Sequence, residues 1–270
     1  MGKTTIGWCS IRAHNSDGIE QTYPGYTFNP WWGCNQISAG CENCYAKANS
    51  KRFQAEFNYW GPNSPRLTMS DKYWNQPINW NRKAKKLGVP LRVFSGSMCD
   101  VLEDGSMLDL ERKRLFELIK KTPDLNWLIL TKRPENIQGL FVDYFEGKYV
   151  SNVWMGVTVE NQENMYKAEE LIKYCDNFEY LFISAEPLLG PLDFPQVVMD
   201  NVDWIFAGSE SGTNHRPMSL DWVREIRDQC LIEQTKFFYK QIVINREKFE
   251  LPELDGRHWA ESPTGFDLID

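Results

Sequence analysis

The sequence predicts an α/β protein: a partial to nearly complete (β/α) barrel with an irregular N-terminal lead-in and one cap insertion. Three observations carry that expectation. Short apolar, β-rich runs alternate with longer amphipathic runs between residues 91 and 239, the rhythm of a parallel sheet joined by helices. Counting the lead-in gives about seven strands, enough to curl the sheet. The strand runs also end in polar residues, as expected where parallel strands deliver a site at their carboxyl ends.

The elements follow in chain order. Residues 1–30 are polar and broken by Gly18, Pro24 and Gly25, a lead-in ending in a short strand at 26–28. A cysteine-rich loop occupies 29–46. Residues 45–57 contain good helix formers without glycine or proline, which predicts a helix with Ala46, Ala48 and Phe53 inward. The stretch 58–90 carries Gly61, Pro62, Pro65 and Pro77 and reads as irregular. Within it, Trp74-Asn-Gln-Pro-Ile-Asn-Trp80 fits either a cap over one end of the barrel or a plain surface loop.

Apolar 91–95 predicts a strand, and 108–121 a helix with Leu108, Leu110, Leu115 and Leu118 as its apolar positions. A strand at 127–131 and a short helix at 135–144 come next. A strand at 153–159 leads to a helix at 164–174 with Met165, Ala168, Leu171 and Ile172 inward. The strand at 180–184 is followed by an irregular crossover at 187–194, then a strand at 204–207, a helix at 220–234 and a last strand at 236–239. After Gln241 the pattern gives way to a polar, acidic tail. The chain reads as one domain, with 27–241 its core, 58–90 the insertion and 242–270 the tail.

A chain of 270 residues can bury a large core without disulfides. Its seven cysteines are odd in number, and neither a signal-peptide pattern nor a bilayer-length apolar run is visible. The expected setting is a reducing cytoplasm, with no membrane partner. A net charge of −7 has the wrong sign for a general nucleic-acid binder, and the basic runs at 47–52 and 82–86 read as solvated faces. Eleven tryptophans suit core packing first and stacking on a flat ligand second.

The richest stretch is Asn29-Pro-Trp-Trp-Gly-Cys-Asn-Gln-Ile-Ser-Ala-Gly-Cys-Glu-Asn-Cys-Tyr-Ala46. It spaces Cys34, Cys41 and Cys44 as C-x6-C-x2-C. Buried cysteines also serve as small hydrophobes, but three within one loop can hold one soft metal centre. Soft sulfur selects an iron–sulfur cluster, zinc or copper(I), and the cluster is favoured over zinc. With no fourth cysteine nearby in sequence, the centre keeps an open position, where chemistry can occur. Further along, the strand ends deliver Glu160, Glu186 and Glu210 together with Lys132 and Lys240. Glutamate is a poor helix cap, so this convergence predicts a ligand site, whereas Asp100 and Thr131 fit plain caps.

Taken together, several motifs recur in order: Asn29-Pro with Gly33-Cys34, Cys41-Glu-Asn-Cys44-Tyr45, Leu130-Thr-Lys-Arg-Pro134, Gly156-Val-Thr-Val-Glu-Asn161, Ser184-Ala-Glu-Pro-Leu-Leu-Gly190 and Gly208-Ser-Glu-Ser-Gly212. Over residues 27–241 the chain resembles the phage-encoded three-cysteine-motif family, usually regarded as part of the radical S-adenosylmethionine (SAM) superfamily. The resemblance implies a barrel of the radical SAM type and a [4Fe–4S] cluster on Cys34, Cys41 and Cys44. SAM would bind the open iron, with Tyr45 beside the adenine. Ser95, Ser97, Glu160, Asn161, Ser209 and Glu210 are the expected SAM contacts, and Lys132, Glu186 and Arg216 the expected substrate-facing or catalytic groups. The first cysteine gap is longer than the superfamily's usual three residues, so the loop must bulge. Ser95-Gly-Ser97 stands where a glycine-glycine-glutamate run is usual.

The implied activity is generation of a 5′-deoxyadenosyl radical for a rearrangement, with a modified, amino-acid-decorated thymine of phage DNA as substrate. An electron donor of flavodoxin or ferredoxin type is the implied partner, and host cytoplasm the implied location. A competing expectation is a non-catalytic iron–sulfur or zinc module associated with nucleic acid, which needs a fourth ligand and a basic face. A zinc deaminase would need H-x-E, and none of His14, His215 and His258 has glutamate two residues on.

Overall fold

Side-chain parity along the strands builds the molecule. The computed structural model describes residues 3–264 except 5, 15, 54–56 and 213, and only the backbone of 51–53. Eight strands form the main sheet: β1 (Tyr26–Phe28), β2 (Leu91–Ser95), β3 (Leu125–Thr131), β4 (Val150–Thr158), β5 (Phe178–Ala185), β6 (Trp204–Gly208), β7 (Lys236–Ile244) and β8 (Glu247–Glu250). They lie side by side in chain order. Pairs from β1 to β7 are parallel, and β8 returns antiparallel along β7.

Successive side chains of a strand point to opposite faces. Val93, Ile129, Met155, Ile183, Ile205 and Phe237 enter the larger core, which includes residues of the flanking helices. Their neighbours in sequence, Phe94, Leu128, Trp154, Phe182, Phe206 and Phe238, form a second core on the concave face. Burying both faces requires these nearly continuous apolar runs.

The expectation of a partial to nearly complete (β/α) barrel of the radical SAM type is corrected. The fold is mixed α/β, rich in strands, and its sheet curls only into a half-barrel. The end strands β1 and β8 do not pair with each other. Asn245 and Arg246, at φ 51° and 68°, make the tight turn that folds β8 back onto the free edge of β7, so that edge is used up. The crossovers are uneven too. Between β3 and β4 the chain takes a 3-10 turn and a π-helical stretch at Ile137–Val142, and between β5 and β6 the only helix is the four-residue Gln196–Met199.

The other helices are α1 (Tyr45–Phe53), α2 (Asp71–Trp74), α3 (Gln76–Leu87), α4 (Asp109–Lys121), α5 (Tyr166–Leu171), α6 (Gln196–Met199, above) and α7 (Leu220–Glu233). Of the side chains expected inward on α1, Ala46 is buried, Ala48 is exposed and Phe53 lies outside the described residues. Helices α2 and α3 occupy the stretch read as irregular. Pro77 sits in the first turn of α3, where its missing N–H costs nothing, and Gly88 stops the helix at φ 67°. The Trp74–Trp80 segment does not cap the site end. Trp80 stacks on Tyr26 at 4.3 Å and Trp74 meets Phe28 edge-on, so the segment braces β1. The tail also holds structure: β7 runs on to Ile244, and Glu253–Leu254 pairs with Arg257–His258. Among the described residues no helix is long and apolar enough to cross a membrane.

Candidate functional site

From β2 to β7 the concave face changes from apolar to polar towards the carboxyl end of the strands. Phe182 gives way to Ser184 and Glu186, and Phe238 to Lys240. Glycine makes room for this layer, since a Cβ on Gly156 would lie 2.2 Å from the Phe182 ring. Trp8, from the 3-10 turn Gly7–Cys9, plugs the concavity, stacking on Phe206 at 5.0 Å and meeting Phe94 edge-on at 4.7 Å. Below it, buried Arg92 donates to the Trp8 carbonyl at 3.0 Å and lies over Trp154 and Trp204. Burial lowers the Arg92 pKa to about 10.

Above this floor lies a cavity of about 300 Å³. Every parallel strand from β2 to β7 supplies lining from its carboxyl end, including Ser97, Lys132, Thr158, Glu186, Ser209 and Lys240. The cysteine loop forms the remaining wall, with Cys34, Cys41, Cys44 and Tyr45. Gly33 is needed where that loop begins: its φ is 107°, and a Cβ there would lie 2.1 Å from the Tyr59 carbonyl. Tyr45 Oη donates to the Ser97 carbonyl at 2.8 Å, and Asn29 Nδ2 to Ser97 Oγ at 3.0 Å.

Two of the strand-end glutamates anchor the loop. Glu160 is 0% exposed and takes Lys132 Nζ at 2.7 Å, Lys167 Nζ at 3.0 Å and the Ser38 hydroxyl. A Cβ on Gly40 would lie 2.6 Å from its Oε1, so only glycine lets the loop settle over it. Burial opposes ionisation of Glu160, but Lys132 and Lys167 outweigh it and hold the carboxyl down at about 2. Glu210 accepts from Asn43 Nδ2 at 3.0 Å and from the Arg216 guanidinium, which also donates to the Ala39 carbonyl at 2.8 Å. Burial again resists, and the Arg216 bonds lower the Glu210 pKa. Glu186 differs. It faces the cavity paired with Lys240, across β6 where Gly208 has no side chain; a Cβ there would lie 3.2 Å from Glu186 Oε2.

The structure thus gathers Cys34, Cys41, Cys44, Tyr45, Ser97, Lys132, Glu186, Ser209 and Glu210 around one cavity, but not Ser95, Glu160, Asn161 or Arg216. Ser95 shares the parity of Leu91 and Val93 and lies on the helix side of β2. Asn161 accepts from Asn164 Nδ2 at 2.6 Å in the turn after β4. Glu160 and Arg216 work from behind the loop. Sequence reasoning missed Trp8, Cys99, Asp100, Arg133 and Lys167. Trp8 sits in a lead-in without periodicity, and Lys167 resembles any helical surface lysine. Asp100, read as a cap, instead accepts from Thr131 Oγ1 at 2.7 Å, the Lys132 N–H at 3.0 Å and Arg133 Nη1 at 2.8 Å.

The donor chemistry bears on what the thiols could hold. Burial, with Asp100 and Glu103 nearby, pushes the Cys34 thiol up to about 12 against the pull of Arg133, and burial raises the Cys44 pKa as well. Such thiols stay protonated until a cation replaces the proton. Among the described residues no three His, Cys, Asp or Glu side chains are grouped closely enough to hold one metal ion. A four-iron cluster spreads its thiolates over separate irons, so it needs a wider triad. The glutamates here already carry cationic partners, which leaves a sulfur-only donor set. That set fits an iron–sulfur cluster better than a single hard ion.

No curated protein and no solved structure matches the chain. A family model does, over residues 17–263, well beyond half of its length. The chain belongs to the family described as Protein of unknown function (DUF5131).

Proposed function

We propose that the chain is a radical SAM enzyme, with Cys34, Cys41 and Cys44 holding a [4Fe–4S] cluster that leaves one iron open for SAM. One observation carries this reading: three cysteines of a single loop share a cavity with the polar ends of six parallel strands. Bound cluster and SAM would supply reductive cleavage of SAM to methionine and a 5′-deoxyadenosyl radical, chemistry that belongs to the cofactor. The protein's part is to hold, orient and keep dry. Glu160 and Glu210 fix the loop from two sides. Trp8, Phe94 and Leu130 line the cavity with apolar surface, which excludes water from a reactive centre. Tyr45 and Ser97, bonded to each other in the cavity wall, would contact the adenosyl group. Glu186 and Lys240 offer opposite charges to a polar substrate.

In this proposal the electron comes from a flavodoxin- or ferredoxin-type donor, and the substrate is the modified thymine that the resemblance implies. A second reading has one observation in its favour. Cys99 lines the same cavity, and a fourth thiol would suit a closed, non-catalytic iron–sulfur or zinc site. The test is anaerobic reconstitution, reduction and addition of SAM, with 5′-deoxyadenosine measured by chromatography. Release by the wild type and none by Cys34→Ala supports the enzyme. An intact cluster with no 5′-deoxyadenosine refutes it.

A further inference from the structure

Arg133 lies just past β3, buried, and its guanidinium bridges to the cysteine loop. Nη2 donates to the Asn35 carbonyl at 2.9 Å, while Nη1 lies 2.8 Å from Asp100 Oδ2 and 3.9 Å from Cys34 Sγ. Its aim is fixed from behind, because Asp100 also accepts the N–H groups of Leu102 and Lys132 and the Thr131 hydroxyl. The Arg133 N–H in turn donates to Thr131 Oγ1 at 2.9 Å. The other cations along this wall point elsewhere: Lys132 to Glu160, and Arg66 to Glu103.

We propose that Arg133, oriented by Asp100, is a positioning residue that hydrogen-bonds the sulfur of Cys34 and sets the reduction potential of the metal centre. The inference rests on the cluster reading above. Reduction adds negative charge to the cluster and its sulfurs, and an N–H donor on a cation stabilises the added charge. The negative charges of Asp100 and Glu103 act on the same sulfur against Arg133, so Arg133 and Asp100 should act with opposite sign. A merely structural pair would not behave so, because breaking it from either end would do the same damage.

The experiment is a spectroelectrochemical titration of anaerobically reconstituted protein, with iron and sulfide content measured alongside. Arg133→Gln should shift the reduced-to-oxidised ratio at fixed poise at least tenfold towards oxidised, which is about 59 mV for a one-electron couple. Asp100→Asn should shift it towards reduced, and Arg133→Lys should fall between Arg133→Gln and the wild type. If Arg133→Gln fails to fold, the sign of the Asp100→Asn shift decides. Full cluster content with wild-type potential in Arg133→Gln, or shifts of the same sign in both variants, would overturn the proposal. A wild type that takes up no iron would instead sink the cluster reading on which it stands.

Discussion

Glu160→Gln should unfold the protein more easily rather than strip it of a ligand contact. Glu160 is 0% exposed and Lys167 1%, and Lys132 also bonds the carboxylate at 2.7 Å. Burial pulls the Lys167 ammonium pKa down even beside Glu160, so desolvation offsets part of the attraction within the group. Breaking it from one side is what costs, because a charge is then left buried without a partner. That cost is about 3–5 kcal/mol. At about 2–4 °C per kcal/mol for a domain of this size, the melting temperature should fall by roughly 6–20 °C. Calorimetry or circular dichroism reads the shift. Adding Lys167→Met should recover at least half of it, since the orphaned charge goes as well. An unchanged melting temperature in Glu160→Gln would refute the anchor role and return the residue to the ligand.

Acid should act on the same group. Its folded pKa of about 2 lies below the ordinary 4.5, so its contribution is complete above pH 4.5 and is lost as pH falls towards 2. Melting temperature should drop across that window in the wild type and less steeply in Glu160→Gln. Gly156→Ala should destabilise by about 1–3 kcal/mol, because the new methyl meets the buried Phe182 ring. Gly139→Ala, with nothing within 4 Å of the added atom, is the control, and equal melting of the two would contradict the packing argument. Cys99→Ala should keep its iron if the site is three-cysteine and open; loss of the metal would favour the closed four-thiol site.

Most strands were legible in the sequence because burial on both faces forces apolar runs such as 91–95 and 153–159. Their polar ends were legible for the same reason, since each apolar run stops where the cavity begins. Closure was not. Whether a curled sheet meets itself depends on β1 and β8, the extremes of the fold, and on one turn at Asn245–Arg246. Helix α3 was hidden by Pro77, a breaker everywhere except in the first turn. At the site, residue type was readable and direction was not. Ser95 and Ser97 look alike in sequence, yet one lies on the helix side of β2 and the other faces the cavity loop. Glu160 reads as a ligand until Lys167, seven residues on, is found beneath it. Trp8 and Arg92 meet only in three dimensions, so no local pattern announces the floor they build.

The central claim, a cluster on three cysteines of one loop, is tested most directly by metal analysis. Anaerobically reconstituted wild type should carry about four irons per chain, with matching sulfide and a broad visible absorption. Cys34→Ala, Cys41→Ala and Cys44→Ala should each lose both metal and colour, while Cys9→Ala, Cys175→Ala and Cys230→Ala keep them. Tight stoichiometric zinc without iron, or iron that survives loss of all three loop cysteines, would contradict the claim.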